Sequence, residues 1–128
     1  MLQAFLPLMR PNSDSRIVNV SSVGSKLSSI PSAEIRRRIR HAGSLAEVAE
    51  LRDAYLDAVR RGKEEEMGWP KQLAYGVSKA FINAATQVLA AENEGVLVNA
   101  CCPVSLSFCL RAESRHATCG IEHTLMRR

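Results

Sequence analysis

The chain has 128 residues, 46% of them hydrophobic, and a formal net charge of +4. A chain of that length forms one domain with a modest core, and its apolar runs are too short to cross a membrane as helices. The positive balance, 17 Lys and Arg against 13 Asp and Glu, comes without aromatic interleaving or a nucleic-acid motif, so no nucleic-acid partner is expected.

The opening Met1-Leu2-Gln3-Ala4-Phe5-Leu6-Pro7-Leu8-Met9 reads as the last turns of a helix. It lacks the basic region and the small-residue cleavage site of a secretory leader, which makes reduced thiols and a cytoplasmic location the expectation. Arg16-Ile17-Val18-Asn19-Val20-Ser21-Ser22 then reads as a short buried strand ending in two hydroxyls. Ser32 caps a short helix running to about His41, which Gly43 ends. Within it Arg36, Arg37, Arg38 and Arg40 alternate with Glu34, Ile35 and Ile39, the pattern of a solvated helix face. Ser44 with Glu47 forms a capping box for a second helix. Its apolar stripe is Leu45, Val48, Leu51, Tyr55 and Val59, and Gly62 closes it. Glu64-Glu65-Glu66 begins a solvated loop that leads to Trp69-Pro70. By this pattern Tyr55 faces the core and Trp69 is a structural anchor.

Ala74-Tyr75-Gly76-Val77-Ser78-Lys79 opens a third helix, and Val96-Leu97-Val98-Asn99-Ala100-Cys101-Cys102-Pro103 reads as a second buried strand stopped by proline. Two near-continuous apolar strands separated by a helix are what a parallel βαβ layer requires. Open parallel sheets bind ligands beyond the carboxyl ends of their strands, where Ser21, Ser22 and Pro103 fall. Cys101 and Cys102 are expected to be inert strand-end thiols. From Phe108 onward no helical or strand period is visible. Cys109, His116, Cys119 and His123 match no common zinc spacing, so no metal is expected.

The pair Tyr75 and Lys79 carries the chemistry. Four residues put both side chains on one helix face. A phenol titrates near pH ~10 and an amine near ~10.4, so neither alone is a useful acid or base at neutral pH. A neighbouring ammonium favours the phenolate and makes Tyr75 a proton donor to a developing alkoxide. A surface tyrosine lying over a lysine stem by accident is the alternative.

Asn19-Val20-Ser21-Ser22, Gly68-Trp69-Pro70, Ala74-Tyr75-Gly76-Val77 and Asn99-Ala100-Cys101-Cys102-Pro103 together resemble the short-chain dehydrogenase/reductases. More narrowly, they resemble the monomeric NADPH-dependent carbonyl reductases, which likewise insert a helical segment between the serine and the tyrosine. The resemblance runs from about Leu2 to Pro103. It implies that Ser22, the second of the doublet, hydrogen-bonds a substrate carbonyl oxygen and that Tyr75 gives this oxygen its proton. Lys79 would lower the tyrosine pKa and bind the nicotinamide ribose, with Tyr75, Lys79 and the strand end at Pro103 contacting NADPH. The insertion implies a monomer.

The same family begins with a strand, a glycine-rich turn and a helix that hold the pyrophosphate. No G-x-x-x-G-x-G or G-x-G-x-x-G pattern occurs in this sequence. After Pro103 the family pattern also stops, as a shifted reading frame or exon boundary near Val104 would produce. The expectation is therefore an α/β chain: a partial Rossmann-like, doubly wound parallel sheet lacking its N-terminal dinucleotide-binding half. Residues 1–103 would form the partial domain, with a helical insertion at about 28–68, and 104–128 a divergent, poorly ordered tail. Uncovered strand edges and apolar faces invite self-association. The expected function is hydride transfer from NADPH to a ketone, aldehyde or quinone, weak or absent in this chain alone. The alternative is a non-catalytic product or a helical interaction module.

Overall fold

The computed structural model describes residues 2–10, 15–93 and 95–103. The expectations about the tail and about Cys109, His116, Cys119 and His123 lie outside the described residues. Local chemistry sets several of the helix ends. A short helix α1 (Leu2–Phe5) runs into a 3-10 turn at Leu6–Leu8, and strand β1 spans Arg16–Val20. Helix α2 (Ala33–Arg40) starts where the Ser32 hydroxyl accepts from the Ile35 amide. Helix α3 (Leu45–Arg61) starts where the Ser44 hydroxyl accepts from the Glu47 amide and ends on Gly62 at φ 63°, the left-handed cap that glycine takes without strain. Helix α4 (Ala74–Glu92) leads to strand β2 (Leu97–Cys101).

β1 and β2 pair in parallel, Arg16 beside Leu97 through Val20 beside Cys101. The ladder continues one residue past β1, as the Ser21 amide donates to the Cys101 carbonyl at 2.6 Å. Helix α4 lies on this pair, and α2 and α3 pack on α4. The main core therefore sits between helices, around Leu51, Tyr55, Trp69, Val77 and Phe81. Trp69, 2% exposed, meets Tyr55 and Phe81 edge to face with ring centroids 5.2 and 6.1 Å apart. A smaller cluster of Ile17, Leu89 and Val98 joins α4 to the sheet.

Five expectations need correction. The strands are buried on one face only. Ile17 and Val98 are covered, whereas Val18, Val20 and Leu97 are 58%, 55% and 46% exposed, because among the described residues helices cover a single side. The α3 stripe ends on Ala58, which is fully buried, and Val59 is 41% exposed. Repeated four-residue steps advance about 40° past a full turn each time, so a three-residue step is needed to return to the face. Glu47 does not close its box on Ser44: its carboxylate accepts from the Gly43 amide at 2.9 Å. Finally, α2 stops at Arg40 with His41 as its cap, so Gly43 lies beyond the end that it was expected to form. Of the arginines, Arg36 is not free on a solvated face. Its guanidinium donates to the Ile30 and Pro31 carbonyls at 2.6 and 2.7 Å and straps the preceding loop to the helix.

Candidate functional site

β1 ends by delivering Ser21 and Ser22 to a 3-10 turn, Val23–Ser25. Burial separates the two hydroxyls. Ser21 is 2% exposed, while Ser22 is half-buried and caps the turn, its Oγ accepting from the Gly24 amide at 3.1 Å. Among the described residues the Ser22 hydroxyl proton has no acceptor. The hydroxyl therefore arrives oriented by one lone pair and ready to donate.

Two glycines bring this turn against α4. A methyl group on Gly24 would lie 3.6 Å from Ser22 Oγ and 3.9 Å from Tyr75 Cδ1, so Gly24 sits between the serine and the tyrosine. A methyl group on Gly76 would come within 2.6 Å of the Gly24 carbonyl oxygen. Only glycine at position 76 permits that approach. Just before α4, Gln72 holds φ 54°, a left-handed backbone that is strained for a side chain with a Cβ.

Tyr75 is 63% exposed, and its hydroxyl makes no hydrogen bond among the described residues. One turn along, Lys79 is half-buried and donates from Nζ to the Val20 carbonyl at 2.8 Å. The same nitrogen stands 5.6 Å from the centre of the Tyr75 ring. Lys79 thus joins the end of β1 to the phenol. Pro103, exposed, lies two residues past β2 on the same carboxyl edge. Ser22, Tyr75 and Lys79 are accordingly brought to one place, with Pro103 at the neighbouring strand end. Sequence reasoning missed Gly24, Gly76 and Asn83. The last continues the four-residue steps from Tyr75 through Lys79, and that continuation was the available signal.

No family model matches the chain. Individual proteins do. The chain is 35% identical over 120 residues to short-chain dehydrogenase/reductase 1 of Saponaria officinalis, covering 91% of this chain and 40% of that protein. It is 35% identical over 107 residues to carbonyl reductase [NADPH] 3 of Rattus norvegicus, covering 77% of this chain and 37% of the relative. Among solved structures, menthone neomenthol reductase from Mentha piperita superposes with a TM-score of 0.71 at 34% identity, over 80% of this chain and 36% of the other. Over its matched length, the chain belongs to the short-chain dehydrogenase/reductase family. Salutaridine reductase from Papaver somniferum matches at a TM-score of 0.65 and 34% identity, over 71% of this chain and 32% of that one. This short-chain dehydrogenase/reductase segment has an α/β fold and spans two fifths or less of the length of these relatives.

Among the described residues no three of His, Cys, Asp and Glu gather closely enough to hold a metal ion, and no helix is long and apolar enough to cross a membrane.

Proposed function

We propose that this chain carries the carbonyl-reducing face of an NADPH-dependent reductase, with Ser22, Tyr75 and Lys79 as the acting residues. The substrate class is a ketone, aldehyde or quinone. One observation carries this reading: a capped serine, an exposed phenol and an ammonium converge at the carboxyl end of β1, through Gly24 and the Val20 carbonyl. The Ser22 hydroxyl donates to the substrate carbonyl oxygen and fixes its place. As that oxygen gains electrons, Tyr75 transfers its phenolic proton to it and leaves an alcohol. Lys79 keeps a positive charge beside the phenolate that the transfer produces. The exposure of Tyr75 suits a group that must meet an incoming molecule.

The residues present fit one end of the cofactor. Tyr75 and Lys79 offer a hydroxyl and an ammonium to the nicotinamide ribose, at the strand edge where open parallel sheets take their ligands, and Pro103 borders it. When bound, the dinucleotide supplies the hydride. No glycine-rich phosphate turn occurs among the 128 residues, so none of them is assigned to the pyrophosphate. Weak binding and slow turnover follow for the chain alone, which in this reading is a partial doubly wound domain of a cytoplasmic, family-like monomer, with an uncovered sheet face open to self-association.

A helical interaction module is the second reading. It is favoured by the position of the larger core, which lies among α2, α3 and α4 rather than at the strand ends. Titration of isotope-labelled chain with millimolar NADPH separates the two. The reductase reading predicts shifts in the amide resonances of Ser22, Gly24, Tyr75 and Lys79, with those of α3 unmoved. No shift at the four residues, or shifts confined to α2 and α3, would contradict it.

A further inference from the structure

Helix α4 turns a polar row towards β1 and the turn that follows it. Tyr75, Lys79 and Asn83 stand at four-residue steps, with Thr86 three further on, all on one face. Three of the four make polar ties across the gap. Lys79 donates to the Val20 carbonyl at 2.8 Å. Thr86 Oγ1 accepts from Asn19 Nδ2 at 2.8 Å while donating to the Ile82 carbonyl at 2.7 Å. Asn83 Nδ2 donates to Ser25 Oγ at 2.9 Å. Hydrogen bonds of this kind have one geometry, unlike apolar contacts that slide, so they set where α4 lies along the strand.

The Asn83 tie is the one that reaches the serine turn. Ser25 Oγ donates to the Ser22 carbonyl at 2.6 Å, and the Ser25 amide donates to that same carbonyl at 3.0 Å. The Gly24 amide, held between them, donates to Ser22 Oγ. Ser21 Oγ, at 3.5 Å from Ser25 Oγ, is too distant to substitute for Asn83. The other end of the Asn83 amide, Oδ1, is buried with no partner among the described residues. An unpaired buried acceptor is unfavourable relative to an apolar group of similar shape. What the amide contributes in return is its bond to Ser25.

We propose that Asn83 is a positioning residue which, through Ser25, holds the Ser22 hydroxyl beside Tyr75. The reductase reading supplies the meaning of Ser22, while the tie itself is independent of it.

Amide hydrogen exchange followed by NMR on the full chain tests this. In Asn83→Leu the Gly24 and Ser25 amides should exchange about fivefold faster or more, the loss expected for one neutral hydrogen bond. The Gly24 amide proton resonance should move, with the Ser21 amide in the ladder unchanged and overall stability not lowered. Ser25→Ala should reproduce the acceleration at Gly24, and the double variant should add nothing, as for residues in one network. Wild-type exchange at Gly24 in both single variants, additive effects, or a uniform acceleration at every amide in Asn83→Leu would each overturn the proposal. Reductase activity enters none of these measurements. A failed reductase assay would therefore overturn the function proposed for the site and leave the tie standing.

Discussion

Two tyrosines of this chain have opposite surroundings, and their chemistry differs accordingly. Tyr75 is open to solvent beside a lysine, which suits a proton donor, whereas Tyr55 is 6% exposed and lies against Trp69. Burial pushes the Tyr55 phenol above its ordinary value of 10.0, and the charge of Glu64 adds to the effect. Unfolding releases this restraint, so the unfolded chain gives up the proton at a lower pH than the folded one. The contribution to stability is fully present below about pH 10 and is lost as pH rises through the raised folded value. Urea unfolding at about pH 9 and about pH 11 should show a decline in wild-type stability that is smaller in Tyr55→Phe. Equal declines would mean that Tyr55 is not its source. The serine doublet divides in the same manner, with Ser21 buried and Ser22 accessible, and only the accessible hydroxyl can meet a substrate.

At the scale of elements, the critical contact is the approach of α4 to the serine turn. In an exposed helix interior, alanine is favoured over glycine by about 1 kcal/mol. At position 76 a methyl group would stand 2.6 Å from the Gly24 backbone oxygen, and that backbone has to move. Gly76→Ala is expected to destabilise the chain by about 1–3 kcal/mol, in the range of overpacked cores. A urea midpoint equal to or above wild type would contradict the contact. Caps such as Ser32, Ser44 and Gly62 were legible in the sequence because a side-chain oxygen or a left-handed glycine acts on its immediate neighbours. The order of Ser22, Tyr75 and Lys79 was legible from spacing and resemblance. The contact of Gly24 with Gly76 was not, because two backbones touching across the sequence leave no periodic trace. Asn83 was hidden for a related reason: its partner Ser25 is 58 residues away, and a polar residue on a helix does not announce what it meets. Val59 misled because an apolar side chain signals burial more strongly than Ala58, although the helical repeat favours the smaller residue.

At the scale of the whole molecule, one layer of helices serves a two-stranded parallel sheet among the described residues. The apolar composition of Arg16–Val20 and Leu97–Cys101 suggested burial on both faces, but composition reports only what a strand can bury. Val18, Val20 and Leu97 remain exposed on the face opposite α4, and such a face favours association. Sedimentation at increasing protein concentration is expected to show self-association of the wild-type chain. Val18→Thr combined with Val20→Thr should reduce it without lowering Tm by more than a few degrees. Unchanged association in the double variant would place the contact elsewhere.

In the function proposed for it, the convergence of Ser22, Tyr75 and Lys79 delivers a proton for carbonyl reduction. NADPH oxidation in the presence of a ketone, aldehyde or quinone, compared between wild type and Tyr75→Phe, tests it most directly. Tyr75 is exposed, so its loss should leave the fold intact. Wild type is expected to show a rate above the protein-free background, and Tyr75→Phe a loss of about 100-fold or more, down to background. Equal rates for the two proteins, at any level, would contradict it.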